Sequence, residues 1–270
     1  MRLSIDHRTV YRFSTPQARL VQMLRMTPGD THNQTIASWR VDVDCDSRLK
    51  PARDGFGNRV TMLYADGPIS AIEIAVAGEV LTTAHAGVIH GANEPFPPDL
   101  FLRATPLTQA DDTLTDFARD AAAGHAMLDR LHALNHAVNA RFTFCLQRPA
   151  QGRTATLAFA EDRATARDLA HIFIAAARAI GVPARYVSGY GLLAALGTSQ
   201  PTPHGWAEAH VDGLGWVAFD PSIGLCAGED HVRVSVGLDS DGAAPVAGSR
   251  LGEGDEQLAV DVQVAALDDQ

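Results

Sequence analysis

His204 and Asp220 are the residues of this chain whose types and placement best suit chemistry. An imidazole held by a carboxylate is a general base with its orienting partner, two thirds of a nucleophile–His–Asp acyl-transfer site. From His204, the residues Trp206, Glu208 and His210 alternate with smaller ones, the period of a strand. Asp212-Gly213-Leu214-Gly215 reads as a turn, and Trp216-Val217-Ala218-Phe219 as the returning strand. His204 and Asp220 then fall at the same open end of one hairpin. The nucleophile is expected at a helix start. Leu169, Ile172, Phe173, Ala176, Ala177 and Ile180 share one helical face, and Gly181 and Pro183 end it. The helix therefore begins near Thr165 or Ala166, where orphan N–H groups and the positive end of the helix dipole would lower a thiol pKa. The residue there is Ala166, which carries no reactive atom.

Four segments, taken together, resemble the bacterial transglutaminase-like family of the papain-like Cys-His-Asp superfamily. They are Arg163-Ala164-Thr165-Ala166-Arg167-Asp168-Leu169-Ala170-His171, the run from Gly181 to Tyr190, His204-Gly205-Trp206-Ala207-Glu208, and Gly213 to Pro221. The likeness extends to Asp54-Gly55-Phe56-Gly57-Asn58 and to Val236–Val246, so it spans nearly the whole chain. It implies an α+β fold: an N-terminal antiparallel β-sandwich-like domain, then a papain-like core with a central helix on an antiparallel sheet. It assigns His204 as general base, Asp220 as its partner, and Ala166 to the position of the family cysteine. The implied chemistry is thiolate attack on a carboxamide or peptide carbonyl, with no cofactor and no metal. The glycines that flank the Arg before the family cysteine are Asp162 and Ala164 here.

Three readings stay open. The first is an inactive relative whose cleft binds a peptide or partner without cleaving it. The second is a cysteine protease or amidase represented by an engineered Cys→Ala variant. The third is a structural subunit of a homo- or hetero-oligomeric assembly. Thr165, Trp206 and Trp216 are expected to line the cleft. Thr165 and Cys226 are weak substitutes for the nucleophile, because neither sits where the helix end and the base act together. Asp168 in the first helical turn suits the dipole and a structural role, and Arg185 is expected as a solvated charge. His204, His210 and His231 lack metal-ligand spacing.

The chain has 270 residues, 46% hydrophobic, with a formal charge of −10. An acidic chain without a basic patch argues against nucleic acid and anionic membranes as partners. Three cysteines at 45, 145 and 226, with no Cys-x-x-Cys, suit a reducing compartment, so the cytoplasm is expected. No stretch has the length and apolarity of a membrane span. Leu3 to Phe13, Trp39 to Cys45, Val60 to Tyr64 and Ile72 to Val76 alternate as strands, with turns at Asp54–Asn58 and Asp66-Gly67-Pro68. Pro95 to Pro98 reads as a linker. The N-terminal β-rich region is placed at 1–100 and the core, with C-terminal strands, at 107–270. Two helices are expected around Leu114–Ala121 and Met127–Val138, with an interruption at Gly124. Residues 239–256 read as a long loop, Leu258–Val264 as a strand, and Asp268-Asp269-Gln270 as a frayed end.

Overall fold

The computed structural model describes residues 1–84, 86–122, 126–193 and 198–267. Gly124 and the segment Asp268-Asp269-Gln270 lie outside the described residues. The N-terminal part contains β1 (Arg2–Leu24), β2 (Gln34–Val43), β3 (Arg48–Arg53), β4 (Arg59–Thr82) and β5 (Val88–Ile89). A short 3-10 turn follows at Pro98–Leu102. Then come α1 (Asp112–Ala121), α2 (Met127–Arg141), β6 (Thr143–Phe144), α3 (Ala155–Phe159), β7 (Arg163–Ala164) and α4 (Ala166–Ala179). The chain ends through β8 (Ala184–Gly191), β9 (Ser199–Gln200), β10 (His204–Val211), β11 (Gly215–Asp220), β12 (Leu225–Cys226), β13 (His231–Gly237), β14 (Val246–Leu251) and β15 (Glu256–Ala266). The fold is α+β with antiparallel sheets dominant.

The first sheet runs β2-β4-β1-β15-β9, with β14 added to β1 and β3 to β4. Strands from both ends of the chain thus share one sheet. β1 is a single strand of 23 residues and β4 one of 24, where the alternation predicts shorter pieces. Asp66-Gly67-Pro68 does not end β4. It lies opposite the register shifts of β1 between Arg12 and Arg19, where a bulge absorbs the bend and pairing resumes beyond it. Beyond the bend β1 pairs with β14, inside the stretch expected to be loop; its residues are small or exposed, so no apolar alternation announces it. Side chains from both halves of the bent ribbon, among them Tyr11, Phe13, Leu20, Leu63 and Ile72, meet in one cluster, which gives the sandwich-like packing.

The second sheet runs β12-β11-β10-β8-β13, with β5 on β11. β8 is buried along its whole length, between α4 on one face and other strands on its edges. The α4 residues Leu169, Ile172, Phe173 and Ala176 are buried in the core, and Phe173 stacks on Phe219 of β11 at 5.2 Å. This fixes the start of α4 over the same sheet that carries His204 and Asp220. The two sheets meet through a mixed apolar cluster of Leu3, Ile5, Val80 and Val262 with Tyr190, Val232 and Val234. The Asp54–Asn58 turn docks there too. Asn58 donates to the Val236 carbonyl at 2.8 Å and accepts from the Val236 N–H at 2.8 Å.

Arg185 is not a solvated charge. It has no solvent exposure and donates to Glu208 at 2.7 Å and to Glu94, from the segment before Pro98–Leu102, at 2.8 Å. Its guanidinium lies 3.8 Å from the centre of the Trp216 ring. Glu208 is equally buried. Burial opposes its charge, but Arg233 and Arg185 outweigh that and hold its pKa near about 2. Removing one partner of such a pair leaves a buried charge poorly compensated. Arg185→Met is expected to lower unfolding free energy by about 3–5 kcal/mol in urea titration. A loss below about 1 kcal/mol would show that Arg233 alone suffices for Glu208.

Candidate active site

The residues that could do chemistry converge where α4 meets β10. α4 begins at Ala166 because Thr165 caps it. The Thr165 hydroxyl accepts from the Asp168 N–H and donates to Asp168 Oδ2 at 2.8 Å, and the Thr165 N–H donates to the same oxygen at 3.1 Å. Arg153 approaches that carboxylate at 3.3 Å. The Thr165 hydroxyl is therefore committed to the cap and is no substitute nucleophile. Ala166, the first helical residue, lines a cavity of about 240 Å³ together with Thr165, Arg167 and His204. β1 and β15 of the first sheet supply its opposite wall, through His7, Thr9 and Tyr11 and through Leu258 and Val260.

His204 starts β10 and Asp220 ends β11, at the same end of the hairpin, as their spacing implies. His204 Nε2 lies 2.6 Å from Asp220 Oδ2. The other ring nitrogen, Nδ1, has no hydrogen-bond partner among the described residues, and the ring borders the cavity that Ala166 borders. The second oxygen of Asp220 accepts from the Ser222 hydroxyl at 2.7 Å and the Ser222 N–H at 2.9 Å. An imidazole anchored through one nitrogen and open at the other thus borders the same cavity as the Ala166 methyl.

Sequence reasoning missed a second imidazole on the same carboxylate. His231 Nε2 lies 3.1 Å from Asp220 Oδ2, and its Nδ1 lies 2.6 Å from Asp230. Its place follows from β13 pairing with β8, which in turn pairs with β10; spacing along the chain does not reveal that neighbour relation. Burial disfavours the charged ring, but hydrogen bonds and charge from Asp220 and Asp230 outweigh it and raise the His231 pKa from 6.5 to about 9. Asp220 is fully buried. Burial alone would push its pKa up, and His204 and then His231 reverse this, holding the carboxyl well below the usual carboxylate range.

His204, Asp220 and His231 therefore do converge, despite the absence of ligand spacing, and their ligand atoms lie within 4.8 Å of one another. Both imidazole Nε2 atoms are already spent on one carboxylate oxygen, and a charged His231 has no lone pair to offer a metal. The donor set fits a proton network rather than a metal site. His210 lies elsewhere, 3.7 Å from Asp212 and edge-on to Trp216.

The two tryptophans expected along the cleft do not border the cavity. Trp206 shares the His204 face of β10, where it is buried against Val187, Ala218 and Val236 and stacked on the imidazole at 5.9 Å, away from the cavity. Trp216 lies under Arg185 at the far end of the hairpin. Three residues not singled out from sequence do line the cavity: Tyr186, Ser188 and Cys145. Cys145 Sγ accepts from Arg163 Nε at 3.1 Å. Cys226 pairs in β12 beside Phe219, away from the cavity, and burial raises its thiol pKa. A methyl built on Gly205 would overlap the Tyr186 hydroxyl, so glycine at 205 is what lets that hydroxyl stand beside His204.

Residues 3–81 match the family described as the bacterial transglutaminase-like N-terminal region, and residues 115–221 match the transglutaminase-like superfamily. The chain is 24% identical over 284 residues to an uncharacterized protein of Mycobacterium leprae (strain TN), covering 98% of this chain and 99% of that one. Its fold superposes with a TM-score of 0.78, at 20% identity, on the crystal structure of a candidate cysteine protease from Cytophaga hutchinsonii, covering 100% and 92% of the two chains. The periplasmic domain of TgpA from Pseudomonas aeruginosa is more distant, with a TM-score of 0.39 at 19% identity over 80% and 75% of the chains. Among the described residues, no helix is long and apolar enough to cross a membrane.

The His231 network predicts a pH dependence with a defined sign. Its folded pKa is raised, so the stabilisation is complete below about pH 6.5 and is lost as pH rises through about 9. His7 and His171 are lowered by burial to about 4 and about 3, so their effect on stability falls below pH 6.5, outside that window. The urea midpoint of the protein should fall between pH 6.5 and 9.5, and that slope should flatten in His231→Gln. An unchanged slope in the variant would place the titrating group elsewhere.

Proposed function

We propose, on the premise that the chain belongs to the transglutaminase-like superfamily, that it binds a peptide or a protein partner through a silenced acyl-transfer site. One observation carries this reading: Ala166 occupies the first position of α4 beside the cavity that His204 borders. In the family chemistry a thiolate at that helix end attacks a carbonyl, and the imidazole takes and returns the proton. The base and its anchor are present here, but no sulfur is. An imidazole without a nucleophile leaves the acyl-enzyme route closed.

Further support comes from residues around the helix start. Asp162 and Ala164 stand where the family pattern has glycines, and in His204-Gly205-Trp206-Ala207-Glu208 the glycine stands where the family's His-Ala-Trp-x-Glu pattern has alanine. Tyr186 uses the space that the alanine methyl would take. The differences thus extend across the cavity and are not confined to one position, which favours an inherited loss over a single engineered change. The engineered-variant reading retains one argument, the intact His204–Asp220 pair, and the native gene sequence separates the two. We further place the protein in the cytoplasm; Cys45, Cys145 and Cys226 are all free thiols, which suits a reducing compartment.

The test restores the sulfur. Ala166→Cys puts a thiol on the helix N-terminus beside His204, and both influences lower a thiol pKa. It should react with iodoacetamide at least about tenfold faster than the three native cysteines. The gain should disappear in Ala166→Cys/His204→Ala. A thiol at 166 no faster than Cys45, Cys145 or Cys226 would mean that the cavity is not a former catalytic centre.

A further inference from the structure

We infer that the cavity is a carboxylate receptor: the free carboxylate of an otherwise apolar chain sits on the α4 N-terminus and takes the Tyr186 hydroxyl as a donor. This rests on the silenced-site reading and names the ligand class for it. Three observations lead there. The N–H groups of Ala166 and Arg167 are the first two of a 14-residue helix, and none of the described residues accepts from them. Where a thiolate would have met those donors there is a methyl, and Asp168, the acidic residue of the first turn, is bonded to the Thr165 N–H and hydroxyl instead.

Tyr186 is the second, independent observation. Its side chain is buried, with 5% of the residue exposed, and it lines the cavity. Its hydroxyl has no hydrogen-bond partner among the described residues. Burial raises its pKa, so it remains an O–H donor at neutral pH. An unpaired donor in a buried wall is costly unless a ligand or solvent meets it. Gly205 makes room for it, which places that donor next to His204.

Third, the charges around the position are mixed, and a cation with an unpartnered nitrogen, Arg167, is among them. Of the Asp168 carboxylate, beneath the helix start, Oδ2 is engaged by Thr165 and by Arg153 at 3.3 Å, and Oδ1 has no partner among the described residues. Asp241 also lines the cavity, and burial and then Asp239 raise its pKa. Arg167 lines the cavity, and its Nε has no partner among the described residues. The rest of the wall, including Phe144, Leu146, Leu258 and Val260, is apolar and suits an aliphatic or peptide chain. A carboxamide would present an N–H₂ donor to this set of donors, and a carboxylate presents only acceptors. The preferred ligand is therefore the acid, the form that the family's hydrolysis would release.

The probes are hexanoate and hexanamide, equal in chain and different only in the head group. In backbone-amide NMR titrations of the intact protein, hexanoate should shift the Ala166 and Arg167 resonances saturably, at least about tenfold more tightly than hexanamide. Tyr186→Phe should weaken hexanoate about five- to tenfold at unchanged melting temperature. Ala166→Asp, which supplies a carboxylate within the cavity, should abolish hexanoate binding. Equal affinity for the two probes overturns the inference, as does hexanoate binding that is absent or insensitive to both substitutions. The reactivity of Ala166→Cys stands apart from these results. A fast thiol with no acid preference sinks the receptor alone, and a slow thiol with a clear acid preference sinks the silenced-site reading alone.

Discussion

A carboxylate sealed from water has to be met by charge and hydrogen bonds, and at Asp220 that requirement organises the whole site. One of its oxygens takes both His204 and His231, and the other takes the Ser222 hydroxyl and backbone N–H. These partners come from β10, β13 and the turn after β11. The carboxylate is therefore satisfied only when the sheet has its native strand order. The same network decides the orientation of His204, since one ring nitrogen is fixed on Asp220 and the other is left for the cavity. Trp206, packed against both imidazoles at 5.9 and 5.1 Å, closes the back of the arrangement.

The cavity itself depends on both sheets. The core supplies the helix end, the base and Tyr186, and the first sheet supplies a wall from β1 and β15. His7, buried and neutral, bridges the two through a 2.9 Å hydrogen bond to Tyr190 and a 3.0 Å contact with Thr9. The first sheet is built from both chain ends and pressed against β8 and β13. This makes it part of the site's geometry.

The parts of this that were legible in the sequence are local. The apolar stripe from Leu169 to Ile180, with Gly181 after it, located α4 to within a residue, and the hairpin turn at Asp212–Gly215 put His204 and Asp220 at one end. What was not legible depends on non-local pairing. β14 has no apolar alternation because it is held by backbone bonds to β1. The bend at Asp66–Pro68 looks like a hairpin turn unless the opposing bulge in β1 is known. His231 and Tyr186 enter the site through strand neighbours 20 or more residues away in the chain, and Arg185 reads as a surface charge until Glu94 and Glu208 are found around it. The tryptophans misled for a simpler reason. Trp206 does share the His204 face of β10, but there it packs on Val187, Ala218 and Val236, so the indole backs the imidazole and does not reach the cavity.

The central claim is that a complete proton-transfer pair stands beside a position with no nucleophile. It is tested most directly by incubating the protein and its Ala166→Cys variant with p-nitrophenyl acetate, and reading both intact mass and the site of modification. The account predicts a single acetyl adduct mapped to residue 166 in the variant, lost when His204 is also replaced by alanine, and no His204-dependent adduct or turnover in the parent. Turnover by the parent that disappears in His204→Ala would contradict it, because the chain would then hold a working nucleophile.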